Sequence, residues 1–240
     1  MATLLFRLCG PMQSWGTRSR FSERDTELEP SKSGVTGLLC AALGRPRSAP
    51  VDDLAALRLG VRVDNEGVMA RDYHTAGAGT GIMRASGQVS KDAQLSNRYY
   101  LAGADFLVGI ESPDPRQLEG LEAALRAPVW QLSLGRKAFV PSLPVYLPGS
   151  GIRNSGLEDA LAEEPWPLPA PFDQTSWTPP REPRRLRLVL ETSFDVAGHE
   201  LRMDQPIGAA FQTRRFGPRA IVQRFTAEKE YGNVSQPSTD

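Results

Sequence analysis

Residues 98–134 read RYYLAGADFLVGIESPDPRQLEGLEAALRAPVWQLSL. Arg98–Glu111 carries the alternation of a strand. Asp114-Pro115 then opens an amphipathic helix over Arg116–Leu125, with proline in the first turn, where its missing N–H costs nothing. Val129–Leu134 (VWQLSL) reads as a further strand, so this stretch is a β-α-β unit. Upstream, Thr3–Cys9 (TLLFRLC) is a strand that stops at Gly10-Pro11. Ser31-Lys32-Ser33-Gly34 precedes a buried helix over Val35–Leu43, with a serine capping its start and Gly44 at its end. Leu57–Val63 alternates as a strand, and Val68–Thr75 reads as its continuation or hairpin partner. The order β-α-β-β-α-β predicts an α+β chain of ferredoxin-like or RRM-like plan over residues 1–145.

Two stretches fall outside that plan. Ala76–Asn97 loses all periodicity among four glycines, and a structureless run of this length is usually functional. Residues 141–183 hold half of the 20 prolines and are expected to form a surface connection, with the linking segment placed at 146–184. Beyond it, Arg185–Glu191 and Ala220–Phe225 read as strands of a smaller β-rich C-terminal part, residues 185–240, whose last ten residues fray.

Composition narrows the function. The 240 residues carry 28 basic and 28 acidic side chains with 40% hydrophobic content, so global disorder is excluded. No run approaches the about 20 apolar residues of a membrane span, and Met1–Leu8 reads as a strand, not a signal peptide. The expectation is a cytoplasmic protein. Two cysteines, Cys9 and Cys40, cannot by themselves form a disulfide framework or a four-ligand zinc site, and with only His74 and His199 besides them and no metal-ligand spacing, neither metal nor cofactor is expected. The charge is segregated: residues 123–157 and 205–227 contain no acid, while acids gather in Glu23–Glu29 and Glu158–Glu164. A neutral total therefore hides a positive face of the kind an anionic partner needs.

Four constellations offer chemistry. In Gly10-Pro11-Met12-Gln13-Ser14-Trp15-Gly16, glycines admit close backbone approach, Gln13 offers amide hydrogen bonds and Trp15 a stacking face; a tight turn around a half-buried Trp explains the same residues. Lys32, Ser33 and Gly34 sit at a helix start, where free N–H groups favour phosphate, although plain capping is the commoner reason. Tyr73 and His74 are adjacent, with Lys91 in the aperiodic stretch; general acid–base cleavage of RNA competes with a structural or binding role. Gly135-Arg136-Lys137 is a phosphate clamp or a turn with solvated charges. No paired carboxylates and no nucleophile elbow stand out, so no catalytic residue is assigned.

Taken in order, the opening strand with its Gly-Pro-Met-Gln-Ser-Trp-Gly exit, Ser33-Gly34-Val35-Thr36-Gly37-Leu38-Leu39, Arg71-Asp72-Tyr73-His74-Thr75, Arg98-Tyr99-Tyr100-Leu101 and Leu134-Gly135-Arg136 resemble the CasD family of type I-E CRISPR Cascade subunits. The resemblance runs from residue 3 to about 145 and continues more faintly through Arg214-Arg215-Phe216-Gly217-Pro218-Arg219. It implies an RRM-like RNA-binding fold with a thumb, placed at about 76–97, and a non-catalytic role in antiviral defence. That role is to hold the repeat-derived 5′ handle of the crRNA and to cap the backbone filament. The implied partners are crRNA, the backbone and large subunits, and target DNA indirectly through the complex. The alternative is a metal-independent endoribonuclease that processes precursor crRNA, as a sister family in type I-C does. On the resemblance, RNA contacts are expected from Gln13, Trp15, Gly16, Lys32, Ser33, Gly34, Tyr73, His74, Lys91, Arg98, Tyr100, Gly135, Arg136 and Lys137.

Overall fold

The computed structural model describes residues 1–19, 22–77, 79–83, 86–166 and 184–229. The elements are β1 (Ala2–Cys9), β2 (Met12–Gln13), β3 (Glu23–Arg24), α1 (Lys32–Leu43), α2 (Asp52–Ala55), β4 (Arg58–Asn65), β5 (Val68–Ala76), β6 (Ile82–Met83) and β7 (Val89–Ser90). They continue as β8 (Gln94–Ala102), β9 (Asp105–Ser112), α3 (Pro115–Arg126), β10 (Ile152–Arg153), α4 (Leu157–Glu163), β11 (Arg187–Thr192), β12 (Glu200–Pro206), α5 (Ala210–Thr213) and β13 (Phe216–Phe225). A seven-stranded antiparallel sheet runs β10-β1-β9-β4-β11-β13-β12. Its first four strands have the order of a ferredoxin-like fold, so the chain is α+β as expected.

The sheet is buried on both faces, which is why β1 and β9 are near-continuous apolar runs. Leu4, Phe6 and Leu8 of β1, with Phe106, Val108 and Ile110 of β9, join one core cluster with α1 and α3 residues such as Leu38, Leu39, Leu118 and Leu121. Leu5 and Leu107, pointing the other way by the two-residue period, meet Leu157 and Leu161 of α4 and Leu188 and Leu190 of β11. Each of these fully buried leucines contributes roughly 1.5–3 kcal/mol. The helix ends follow their local sequence: Ser31 Oγ accepts from Gly34 N at 3.3 Å, Gly44 closes α1 in the left-handed conformation, and Asp114 caps α3 on Arg116 N at 3.0 Å.

Several expectations are corrected. Val129–Leu134 is not a strand. The Val129 and Trp130 N–H groups donate instead to Ala42 and Ala41 at the end of α1, at 2.9 and 3.1 Å, and the Leu134 N–H donates to Phe139 O. The edge position beside β1 goes to β10, with Arg7 N donating to Val145 O nearby. The proline-rich stretch therefore does more than connect: it supplies β10 and α4, whose Leu157 and Leu161 are core residues. Residues 167–183 of it, and the tail from 230, lie outside the described residues.

Arg98–Glu111 is two strands. Gly103, at φ 69°, turns the chain between β8 and β9, a conformation L-residues resist. Val68–Thr75 pairs with β8 rather than with β4, in register Tyr73↔Asn97 and Arg71↔Tyr99. The insertion after β4 is thus a long hairpin with nine-residue arms, β5 and β8, and a small β6–β7 hairpin towards its tip. It is rooted on the other side of β8 by β2 and β3. The C-terminal strands continue the main sheet, because β11 hydrogen-bonds to β4.

Candidate nucleic-acid interface

The exit of β1 is built as scaffold. Gln13 Nε2 donates to Leu8 O (3.0 Å) and Ala104 O (2.8 Å), and its Oε1 accepts from Trp15 Nε1 at 3.2 Å. Trp15 is 1% exposed and lies so close under α1 that a Cβ on Gly34 would sit 2.7 Å from its ring. Lys32 is buried too: Nζ meets both oxygens of Glu191 at 2.7 and 2.9 Å, and burial lowers its pKa although Glu191 opposes the shift. The expected RNA contacts by Gln13, Trp15 and Lys32 are therefore corrected, since their polar atoms and faces are consumed within the chain. The start of α1 is likewise not a free anion site. The Lys32 N–H donates to Asp204 Oδ2 at 2.7 Å and the Gly34 N–H to Ser31.

What these anchors position is a cleft of about 1300 Å³. It is larger than the about 300–1,000 Å³ of a small-molecule site. Its walls are the loop from Gly16 to Ser19, the flank of α1, the segment from Trp130 to Lys137, and the β12–β13 connection. Gly16, Ser33, Gly34, Gly135 and Lys137 all line it, so three of the four sequence constellations converge there. Gly135 makes the junction possible: it holds φ 89°, and any Cβ would overlap the Ser14 carbonyl oxygen. Ser14 N donates to Leu134 O at 3.1 Å and locks the two loops together.

The lining holds Arg18, Arg45, Arg47, Lys137 and Arg214 and, among the described residues, no carboxylate. Arg45 is paired with Asp53 at 2.6 and 2.5 Å; the charged groups of the other four have no carboxylate partner among the described residues, although Asp25 accepts from the backbone N–H groups of Thr17 (3.3 Å) and Arg18 (2.9 Å) behind that wall. Sequence reasoning missed Arg18, Arg45, Arg47 and the partly exposed Trp130 as site residues. The available signal was charge segregation: the two acid-free stretches, residues 123–157 and 205–227, supply Trp130–Lys137 and Arg214 to the same cleft.

Arg136 turns away from the cleft to the root of the hairpin. Its Nη2 donates to Tyr99 O (2.9 Å) and Arg24 O (3.4 Å), and its guanidinium lies 5.4 Å from the Phe139 ring centre. Burial, then Arg98 and Arg24, lower its pKa while Asp72 and Asp25 oppose the shift, so three cations and two carboxylates meet there. Arg98 Nε donates to Ser96 Oγ at 3.1 Å. Tyr100 packs its ring 5.9 Å from Phe139 and so braces the root; that face is not open to a base. Tyr73 is exposed on β5, and neighbouring His74, 3.4 Å from Asp72, takes the other face of the strand. Lys91 is exposed between β7 and β8. No hydrogen bond joins Tyr73, His74 and Lys91 among the described residues, and those residues hold no cluster of metal-ligating side chains.

The profile of the family described as CRISPR-associated protein (Cas_Cas5) matches residues 3–222. The chain belongs to this Cas5 family. The CRISPR system Cascade subunit CasD of Escherichia coli (strain K12) is 32% identical over 158 residues, 60% of this chain and 69% of the relative. A chain of a CRISPR RNA-guided surveillance complex superposes with a TM-score of 0.76 at 34% identity, covering 99% of this chain and 95% of that one. A crystal structure of a Cas protein gives 0.72 at 42% identity, covering 96% and 98%. No helix among the described residues is long and apolar enough to cross a membrane.

Cys40 also lines the cleft, and burial pushes its thiol up to about 11; burial and then Asp105 push that of Cys9 up to about 12. The thiolate is the reactive form. Both cysteines should therefore resist iodoacetamide at pH 8 in the folded chain and react fully in denaturant, as read by mass spectrometry. Rapid native labelling of Cys40 would show that α1 does not pack as described.

Proposed function

We propose that this Cas5 chain binds single-stranded crRNA in the carboxylate-free cleft, holds its repeat-derived 5′ handle and caps the end of a Cascade backbone filament. The observation that carries the reading is the cleft itself. Four cations whose side chains have no carboxylate partner among the described residues, and several hydroxyls, surround a space larger than an ordinary small-ligand pocket. Single-stranded RNA is held in this way, with phosphates on cations and bases free to stack. Gly16, Ser33, Gly34, Gly135 and Lys137 contact the handle inside the cleft. Arg98 and Arg136 meet it at the hairpin root, and Tyr73, His74 and Lys91 face RNA or the adjoining backbone subunit along the hairpin. In this reading the domains divide so that residues 1–145 carry most of the RNA contacts, while the described parts of 146–184 and 185–240 complete the sheet and the far wall of the cleft. The complex would act in the cytoplasm, meeting target DNA through its guide.

The test is the double variant Arg136→Ala/Lys137→Ala. Handle affinity should fall about tenfold or more, and the salt slope should shrink by about 0.7 for each phosphate that is no longer neutralised. Unchanged affinity and slope would remove the reading. The role is non-catalytic in this proposal, since Tyr73 and His74 point to opposite faces of β5. His74→Gln should accordingly leave guide-RNA maturation intact; loss of maturation with normal assembly would favour the endoribonuclease.

A further inference from the structure

The far wall of the cleft is the β12–β13 connection, residues 207–215. We infer that this connection is a jaw that seats one unpaired nucleobase against Phe216, with Arg214 on the adjoining phosphate. The inference rests on the handle reading of the cleft and adds to it both residues and a mode of recognition.

The first observation is a strained backbone. Arg214 sits at φ 54°, ψ 43°, and among the described residues every other positive-φ position is a glycine. That conformation is costly for an L-residue and would not be for a glycine. What the arginine offers in return is a cation in the cleft lining, without a carboxylate partner among the described residues. The second observation is that the connection is fastened at several points. Gly208 N donates to Asp52 Oδ1 at 2.9 Å and Val51 N to Gly208 O at 3.0 Å, and just before the connection Gln205 Nε2 at the end of β12 donates to Ala55 O at 2.8 Å. Phe211 lies over Gly37 of α1, where a Cβ would be 3.6 Å from its ring, and meets Phe216 edge-on at 6.3 Å. Preorganised aromatic and cationic groups bind without the cost of ordering them.

The third observation is exposure. Phe216 is 36% exposed although it is braced by Phe211, and Trp130, 48% exposed, is held by Ala41 one turn further along the same helix. Two part-exposed rings on either side of the α1 flank, lining the same cleft as Arg214 and four further cations, suit a flat base joined to a phosphate better than an apolar protein segment.

The experiment uses the full chain and a single-stranded RNA with the repeat-derived 5′ sequence, together with a series carrying one abasic nucleotide at successive positions. Phe216→Ala and Arg214→Ala should each weaken binding about tenfold. One abasic position should cost about tenfold in the parent and almost nothing further in Phe216→Ala. Arg214→Gly should lose the same affinity with an unchanged or higher melting temperature, separating the missing cation from any damage to the fold. Parent-like affinity in Phe216→Ala and Arg214→Gly, with binding still weakened in Arg136→Ala/Lys137→Ala, would overturn the jaw and leave the handle reading standing. If that double variant also binds normally, both fail. Weakened association with other complex subunits at unchanged RNA affinity would make this wall a protein interface and overturn the inference.

Discussion

Gly135→Ala should damage both the fold and RNA binding, more than the removal of any single cation. The added methyl group has nowhere to go, because it would overlap the Ser14 carbonyl oxygen, a backbone atom on the neighbouring loop. The residue must also leave φ 89°, which for an L-residue costs about 1–2 kcal/mol. Overpacking adds about 1–3 kcal/mol, for a total of roughly 2–5 kcal/mol. The chain can escape part of this only by lifting the loop that carries Arg136 and Lys137 off the exit of β1. That would break the Ser14–Leu134 hydrogen bond and widen the cleft. Two readouts follow: a melting temperature lower by about 2–4 °C per kcal/mol for a chain of this size, and handle affinity at least as weak as in Arg136→Ala/Lys137→Ala. A variant with parent-like stability and affinity would show that the two loops do not meet as described.

The second large effect is expected at Arg62, which is fully buried in β4. Its Nε donates to Asp64 Oδ1 at 2.6 Å, and its Nη atoms donate to the carbonyl oxygens of Leu161 (2.7 Å), Glu164 and Pro165 (3.1 Å). One side chain thus satisfies the carbonyl end of α4 and neutralises a buried carboxylate. Arg62→Ala leaves Asp64 without its partner and those carbonyls without a donor, a loss of about 3–5 kcal/mol. A melting temperature lower by roughly 10 °C is expected. Replacing both partners, as in Arg62→Met/Asp64→Leu, should recover only the share due to the unpaired carboxylate, because the carbonyls of Leu161, Glu164 and Pro165 still lack their donor.

A pH arm distinguishes the charge effect from weakened packing. Burial pushes the Asp64 carboxyl up to about 6 even beside Arg62, above its ordinary 3.8. Between those two values the folded chain holds a proton that the unfolded chain releases. This group therefore adds stability as pH falls through 6 towards 4 and withdraws it as pH rises. Without Arg62 the carboxyl is pushed higher still, so the deficit of Arg62→Ala should shrink between pH 7 and pH 5. A deficit independent of pH would place the whole effect in packing.

What is legible in the chain divides by the range of the interactions involved. The ends of α1 and α3 are settled by partners within four residues: Ser31 caps Gly34, Gly44 accepts the left-handed turn, and Asp114 caps Arg116 ahead of Pro115. Such contacts can be read from the chain directly. The alternation of β4 and β11 is equally local, and the five motif stretches are enough to carry the family. Strand pairing is not local. Ile152–Arg153 offers two residues and no pattern, yet it takes the edge beside β1, while the better-patterned Val129–Leu134 gives its hydrogen bonds to the end of α1. The same holds within the site. Gly135 and Lys137 are visible as a glycine–cation pair, whereas Gln13, Trp15 and Lys32 have the composition of a binding loop and are consumed by Ala104, Gly34 and Glu191, partners that the sequence does not place beside them. Arg18 and Arg47 are two of 24 arginines with no motif around them, whereas Arg214 lies in an acid-free stretch beside Arg215, a signal that marks the stretch and not the single residue that enters the cleft. Local pattern suffices for the helices, the strand alternation and the family. Long-range packing settles which strands pair, which polar side chains serve as scaffold, and which distant cations share one cleft. The physical reason is that burial and register are set by contacts between residues far apart in the chain, such as Lys32 with Asp204, 172 residues away, and no local pattern encodes them.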